Sequence, residues 1–304
     1  MSMNVVDKPE EPNQEDCCQN GCTPCVFDIY RAQLELWEKG SNSVNSSVVR
    51  YDVLSQTRFK PFTLTNTVPL TQDTNLYRFQ PVVEQNVDLQ GLLPYHAGQH
   101  LVLRLNRDKD KIITRAYTII SKTNSLENCS FEVLIKLYNN GVMSNYIKSL
   151  KIGEITYWRG PYGDFQYEPN KYRNILMICI GTGIAPMYAI IQEIVQNEND
   201  ETVIKLLYGC RNPSNIILRE ELYKLSSFWN FNYICYLSEG YSSNEKKFSE
   251  NLVHGKISKE HIRSYLNYPL DNLLVLICGT TNFTSEISDI LVGFDVPIKN
   301  VHVF

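Results

Sequence analysis

The chain has 304 residues, 43% of them hydrophobic and 20% charged, with a formal net charge of −4. That is the profile of a folded chain with two ordinary domains and an appendage, and it excludes a fibrous or wholly disordered protein. The negative balance argues against a nucleic-acid partner, and no apolar run approaches the roughly 18 residues of a membrane-spanning segment.

The start, Met1-Ser2-Met3-Asn4, is neither a signal peptide nor a myristoylation site, so a cytoplasmic location is expected, with a mitochondrial one left open. Charge is unevenly spread. Residues 1–46 carry three Lys/Arg against eight Asp/Glu, whereas residues 47–168 carry fourteen against eleven. A mildly basic middle domain suits an acidic partner.

Residues 1–46 form the first segment: an acidic lead, a cysteine cluster, a short helix and a linker. The chain has nine cysteines and no secretory signal, which speaks for a reducing setting rather than a disulfide framework. Cys17, Cys18, Cys22 and Cys25 crowd into one stretch beside Gly21 and Pro24. Four thiolates can complete a tetrahedral zinc site, although such sites usually use two separated pairs, and redox-active or merely packed cysteines are the alternatives. Phe27, Tyr30, Leu34 and Trp37 then predict one apolar stripe on a helix ending near Gly40, and residues 40–47 read as a linker.

Residues 47–168 show short strands between turn residues: Val48–Leu54, Phe62–Asn66, Leu76–Pro81, His100–Leu105, Arg115–Ser121, Phe131–Tyr138 and Ile155–Arg159. With one helix, Val142–Leu150, this predicts a small antiparallel β-barrel. Residues 169–304 change rhythm. Apolar runs at Ile175–Ile180, Val203–Tyr208, Asn232–Leu237 and Leu273–Cys278 alternate with helices near Met187–Gln196, Leu218–Leu225, Lys259–Leu266 and Ser285–Leu291. Strands buried on both faces and alternating with helices predict a doubly wound parallel α/β domain.

Four motifs carry chemistry. Gly181-Thr182-Gly183-Ile184-Ala185-Pro186 joins a strand to a helix, where glycines let backbone amides approach a diphosphate. It differs from the Gly-x-Gly-x-x-Gly fingerprint, and a ligand-free tight turn is the other reading. Arg115-Ala116-Tyr117-Thr118 puts a guanidinium and an aromatic ring on one strand face, suited to a pyrophosphate and a flat heterocycle, or simply to an exposed strand. Gly141-Val142-Met143-Ser144 opens a helix whose amides and hydroxyl can bind phosphate, or which merely starts there. Arg159-Gly160-Pro161 marks a strand exit, and Cys278-Gly279 closes the last buried run.

The order of these motifs resembles the ferredoxin–NADP reductase superfamily, and within it the NADH–cytochrome b5 reductases, over residues 48–304. Residues 1–46 resemble the short oxidoreductase-like segment found before some of these reductases. The resemblance implies an FAD-dependent NAD(P)H reductase. Arg115, Ala116, Tyr117, Leu134, Gly141 and Ser144 would belong to the FAD site, with Thr118 at the reactive edge and Met143 and the backbone of Val142 beside the pyrophosphate. Lys136 and Cys278 would align the nicotinamide, though a solvated strand lysine and a core cysteine are their plainer readings. Gly181, Thr182, Gly183, Pro186, Met187 and Gly279 would bind NADH, and Phe304 matches the family's terminal aromatic.

The chain departs from the family pattern at Ala116 and Ile119, which stand for prolines, at Ala185, which stands for threonine, and at Thr280-Thr281-Asn282-Phe283, which replaces prolines. Ser238-Glu239 stands where an Asp often repels a 2′-phosphate, which favours NADH, while Arg211 on a neighbouring loop would tolerate NADPH. The resemblance further implies a one-electron acceptor protein such as cytochrome b5. A reductase for a quinone or ferric chelate, or a nucleotide-binding sensor with weak catalysis, are the competing functions.

Overall fold

The computed structural model describes residues 53–304 apart from 83–92, 94, 109–110, 123–129 and 267–268, together with scattered positions before residue 53. In the first segment Phe27, Tyr30 and Leu34 are helical and half-buried, while Arg31, Glu35 and Glu38 are helical and exposed, as the apolar stripe requires. Trp37 and the cluster Cys17, Cys18, Cys22 and Cys25 lie outside the described residues.

Two compact units divide the rest. One comprises the described residues up to Thr67 with Tyr77–Val133 and Leu137–Asp164; the other comprises Val68–Leu76, Leu134–Lys136 and Phe165–Phe304.

Six strands form the first sheet: β1 (Lys60–Pro69), β2 (Thr74–Pro81), β3 (His100–Asp108), β4 (Lys111–Thr118), β5 (Phe131–Lys136) and β6 (Ile155–Tyr162), in the order β4-β3-β6-β1-β2-β5. The pairings β4–β3, β3–β6 and β6–β1 are antiparallel. Beyond β4, Ile119 bridges Val133 of β5, and the Ile120 N–H donates to the Glu132 carbonyl at 2.9 Å. The two outer strands thus meet and the sheet curls into the expected barrel, which removes its open edges. This closure also corrects the predicted strand Arg115–Ser121: regular pairing with β3 stops at Thr118, because the next residues turn to β5.

The expected strand Val48–Leu54 does not reach its described end, since neither Val53 nor Leu54 is extended in a sheet. The Ser55 hydroxyl accepts the Thr57 and Arg58 amides at 3.2 and 3.1 Å and turns the chain there.

Alternation along β1, β2, β5 and β6 sends Phe62, Phe79, Phe131 and Trp158 into one fully buried cluster, with Phe79–Trp158 and Phe131–Trp158 ring centroids 4.9 and 5.0 Å apart. The indole N–H donates to the Thr156 hydroxyl at 2.8 Å, which in turn donates to the Phe62 carbonyl at 3.0 Å. The barrel's one described helix, α1 (Val142–Ser149), packs against β4.

In the second unit, β7 (Asn174–Ile180), β8 (Val203–Cys210), β9 (Phe231–Leu237), β10 (Leu252–His254), β11 (Leu273–Cys278) and β12 (Val301–Val303) run parallel in the order β10-β9-β8-β7-β11-β12. Helices α2 (Ile184–Gln196), α3 (Arg219–Leu225), α4 (Lys259–Arg263) and α5 (Thr281–Val292) connect them. Helix α5 starts four residues before the predicted Ser285, because the Thr280 hydroxyl caps it by accepting the Phe283 amide at 3.4 Å. Helix α4 is shorter than predicted, ending at Arg263. The three-residue strands β10 and β12 are too short to show a period in the sequence. Successive strands run from β7 to β10 on one side, whereas β11 and β12 lie on the other. The order therefore reverses between β7 and β11, and a crevice opens at such switch points. Among the described residues no helix is long and apolar enough to cross a membrane.

Thr156 tests the barrel core. Thr156→Val leaves the buried Trp158 N–H without its acceptor, and unfolding by denaturant is expected to register a loss of about 1–3 kcal/mol.

Candidate functional site

At the switch point, β7 ends in Gly181-Thr182-Gly183 and runs directly into α2, while β11 ends in Cys278-Gly279 beside it. Gly181 has φ +54° with open space where a side chain would be, so a non-glycine residue there is strained and the space stays free. Gly183 is needed for a different reason. A Cβ on it would run into the Cys278 carbonyl oxygen and sit 2.8 Å from the carbonyl carbon, so only a glycine lets the helix start come this close to β11.

Gly183 takes the N-cap position of α2 and lends it no side-chain bond, while the Ile184 amide donates to the Gly181 and Thr182 carbonyls and Pro186 has no N–H, so what this junction offers a ligand is the glycine turn itself. Tyr208, fully buried on β8, donates its hydroxyl to the Gly181 carbonyl at 2.9 Å and fixes that peptide. Thr182 is half-buried at the lip. Pro186 and Met187 are buried in α2, with Met187 fully inaccessible, so anything they add comes from shaping the turn.

Cys278 is half-exposed as a residue, yet burial pushes its thiol up to about 12, so it stands protonated at neutral pH and acts by packing and hydrogen bonding rather than as a thiolate. Phe304 lies next to it: its amide donates to the Ile277 carbonyl at 3.0 Å, and its ring packs on Phe165 and His302. The Thr280–Phe283 departure leaves this end of the sheet well made, since Thr280 caps α5 and Phe283 packs into the core beneath it.

Beside the end of β8, Lys136 reaches Asp73 with Nζ 3.2 Å from its carboxylate, and Arg211, the residue after that strand, reaches the same oxygen at 3.2 Å. Asp73 was not singled out in the sequence. Its other oxygen accepts the Thr71 and Thr74 hydroxyls, each at 3.1 Å. Burial alone would raise its carboxyl, but the bonds from Lys136, Thr74 and Thr71 and the Lys136 charge outweigh that and hold it below the usual carboxylate range.

The barrel holds a second constellation. Arg115 is exposed on β4, its guanidinium donating to the Thr114 carbonyl at 2.7 Å. Ala116, Tyr117 and Thr118 are half-buried, and burial raises the Tyr117 phenol so that it stays un-ionised. Leu134 is buried on β5. Gly141 caps α1 without a side-chain bond, and a Cβ on it would meet the Ser144 hydroxyl at 2.9 Å. That hydroxyl accepts the Tyr138 amide at 3.0 Å and keeps its own hydrogen to donate. Val142 is exposed and Met143 buried at this helix start. An exposed guanidinium, a neutral phenol and an uncapped helix N-terminus, brought together by the packing of α1 on β4, fit a flavin dinucleotide.

His100 also belongs to this group, although the sequence marks it only as the start of a strand. It lies opposite Thr118 in the β3–β4 register, its Nε2 is buried with no hydrogen-bond partner, and burial lowers its pKa to about 4. Among the described residues no group of three or more His, Cys, Asp or Glu could hold a metal ion.

Three family models match the chain: an oxidoreductase FAD-binding domain over residues 61–167, an oxidoreductase NAD-binding domain over 177–289, and an oxidoreductase-like N-terminal family over 2–46. A human NADH-cytochrome b5 reductase-like protein is 38% identical over 92% of this chain and 89% of its own length. NADH-cytochrome b5 reductase 1 of Neosartorya fischeri is 34% identical over 75% of this chain and 72% of its own. Two solved structures share the fold. The cytochrome b5 reductase domain of Ulva prolifera nitrate reductase has a TM-score of 0.68 at 21% identity, covering 83% of this chain and 99% of that one. A ferredoxin NADP+ reductase from Neisseria gonorrhoeae with bound FAD and NADP has a TM-score of 0.63 at 18% identity, covering 81% and 98%.

Two outcomes check this geometry. Gly183→Ala forces the α2 start away from β11; overpacking of this kind costs about 1–3 kcal/mol, and a raised KM for NADH is expected beside the lowered stability. For His100 the folded pKa lies below the ordinary value of 6.5. The unfolded chain therefore takes up the proton first, and stability is lost as pH falls from 6.5 toward 4. Thermal melts across that window are expected to show a decline that His100→Gln makes shallower.

Proposed function

Because the chain belongs to the FAD- and NAD-binding oxidoreductase family that includes the NADH-cytochrome b5 reductase-like proteins, we propose that it is an NADH-dependent flavoprotein reductase passing single electrons to an acceptor protein such as cytochrome b5. The observation that carries this reading is the pair of constellations just described: a glycine turn at the switch point of the parallel sheet, and a guanidinium, a phenol and a helix N-terminus in the barrel. Neither needs an acid–base triad, which suits hydride transfer.

FAD supplies, when bound, the conversion between paired and single electrons. The residues of this chain bind and orient. Arg115 and the first amides of α1 meet the negative charge of a pyrophosphate, and the Ser144 hydroxyl donates to it. The Tyr117 ring offers a flat apolar face, and the Thr118 hydroxyl offers a hydrogen bond at the reactive edge. The Gly181–Gly183 turn at the start of α2 holds the dinucleotide of NADH, while Lys136 and the protonated Cys278 thiol fix the nicotinamide end. Holding the two partners in reacting geometry is the larger part of the catalytic effect.

Glu239 supports the preference for NADH. It stands beyond the end of β9, its amide bonded to the Arg211 carbonyl at 2.8 Å and its carboxylate accepting from Asn212 at 2.8 Å. A carboxylate there accepts a ribose hydroxyl and repels a 2′-phosphate.

Steady-state turnover with NADH and a panel of acceptors tests the reading: cytochrome b5, a quinone, a ferric chelate and ferricyanide. Efficient reduction of the haem protein is expected; turnover of ferricyanide alone would reject the acceptor while leaving the flavin chemistry intact.

A further inference from the structure

Arg211 is the cation at the lip where β8 and β9 end, beside Glu239, and it is exposed enough to meet a ligand. A guanidinium in that place would ordinarily serve a 2′-phosphate, because its planar fork matches phosphate oxygens. Here its NH2 group lies 3.2 Å from the Asp73 carboxylate.

That carboxylate is rigidly held. One oxygen accepts two threonine hydroxyls, of which Thr74 belongs to a fully buried residue, and the other oxygen faces both Lys136 and Arg211. An isolated exposed ion pair contributes little, but a carboxylate fixed beforehand by three donors loses almost no freedom in holding a fourth. The turn that carries Asp73, within Val68–Leu76, groups with the nucleotide-binding unit, as Leu134–Lys136 does. On this lip, then, two carboxylates, Asp73 and Glu239, stand beside Arg211, and one of them binds it directly.

We infer that Asp73 is a specificity-determining residue, which by holding the Arg211 guanidinium withholds from the ribose end of the crevice the cation that a 2′-phosphate requires. The inference rests on the proposed function. Asp73 acts through Arg211 rather than on the cofactor itself, so it positions and selects and is not catalytic. Its contact with Lys136 bears on the nicotinamide end, which NADH and NADPH share. Loss of that contact therefore moves both cofactors together, and the ratio between them isolates the effect on Arg211.

The test uses the FAD-loaded full chain as wild type, Asp73→Asn, Arg211→Gln and the double variant, with Asp73→Ser as a second replacement should the asparagine fold poorly. Two readouts are taken: kcat/KM for NADPH over that for NADH, and calorimetric affinity for 2′,5′-ADP over that for 5′-AMP. Freeing one charged hydrogen-bond donor is expected to raise both ratios by about tenfold or more in Asp73→Asn. Arg211→Gln alone is expected to change them little, and the double variant to return them to the wild-type value. Ratios unmoved by Asp73→Asn, or raised equally when Arg211 is absent, would overturn the inference. A wild type that binds neither nucleotide and is not reduced by NADH would overturn the proposed function and this inference with it.

Discussion

The close approach of Gly183 to the end of β11 is the constraint on which the nucleotide site depends. Two backbone segments meet there with no room for a single Cβ, so the start of α2 is pressed against Cys278. The sheet order places this contact where β7 and β11 part company, and Tyr208 holds the intervening Gly181 peptide from the third strand. Moving the helix start outward would displace amides, thiol and terminal aromatic together, because Phe304 is tied to the same strand through Ile277.

The barrel solves its own problem by a different device. Closure through Ile119 and Val133 ends β4 at Thr118, so the motif Arg115–Thr118 occupies the last regular stretch of that strand. Tyr117 of this strand sets its ring on Trp158, 5.9 Å between centroids, and α1, which has no side-chain cap, packs against the same strand. Where the family has prolines, Ala116 pairs with Val102 of β3, and Ile119, past the end of β4, donates its amide to the Gln99 carbonyl at 3.1 Å, a bond that a proline could not make.

Much of this was legible in the sequence, and the rest was not for identifiable reasons. Period-two alternation revealed the barrel strands, and the long apolar runs revealed the parallel sheet, since both follow from which faces are buried. The glycine turn, the Arg115–Thr118 strand and the Gly141–Ser144 helix start were readable because each is local. Asp73 was not, because its meaning comes from partners 63 and 138 positions away, Lys136 and Arg211, and no local pattern announces them. His100 was missed likewise: it becomes notable only when the β3–β4 register sets it opposite Thr118. The Thr280–Phe283 departure reads in the sequence only as the replacement of prolines, whereas the fold uses Thr280 as a helix cap.

The visible spectrum of the purified protein, taken before and after anaerobic addition of NADH, bears most directly on the central claim. Flavin absorption bands that bleach within the mixing of stoichiometric NADH are the expected result, establishing bound FAD and hydride acceptance in one experiment. A colourless protein that takes up no FAD on reconstitution, or a flavin that stays oxidised under excess NADH, would contradict it.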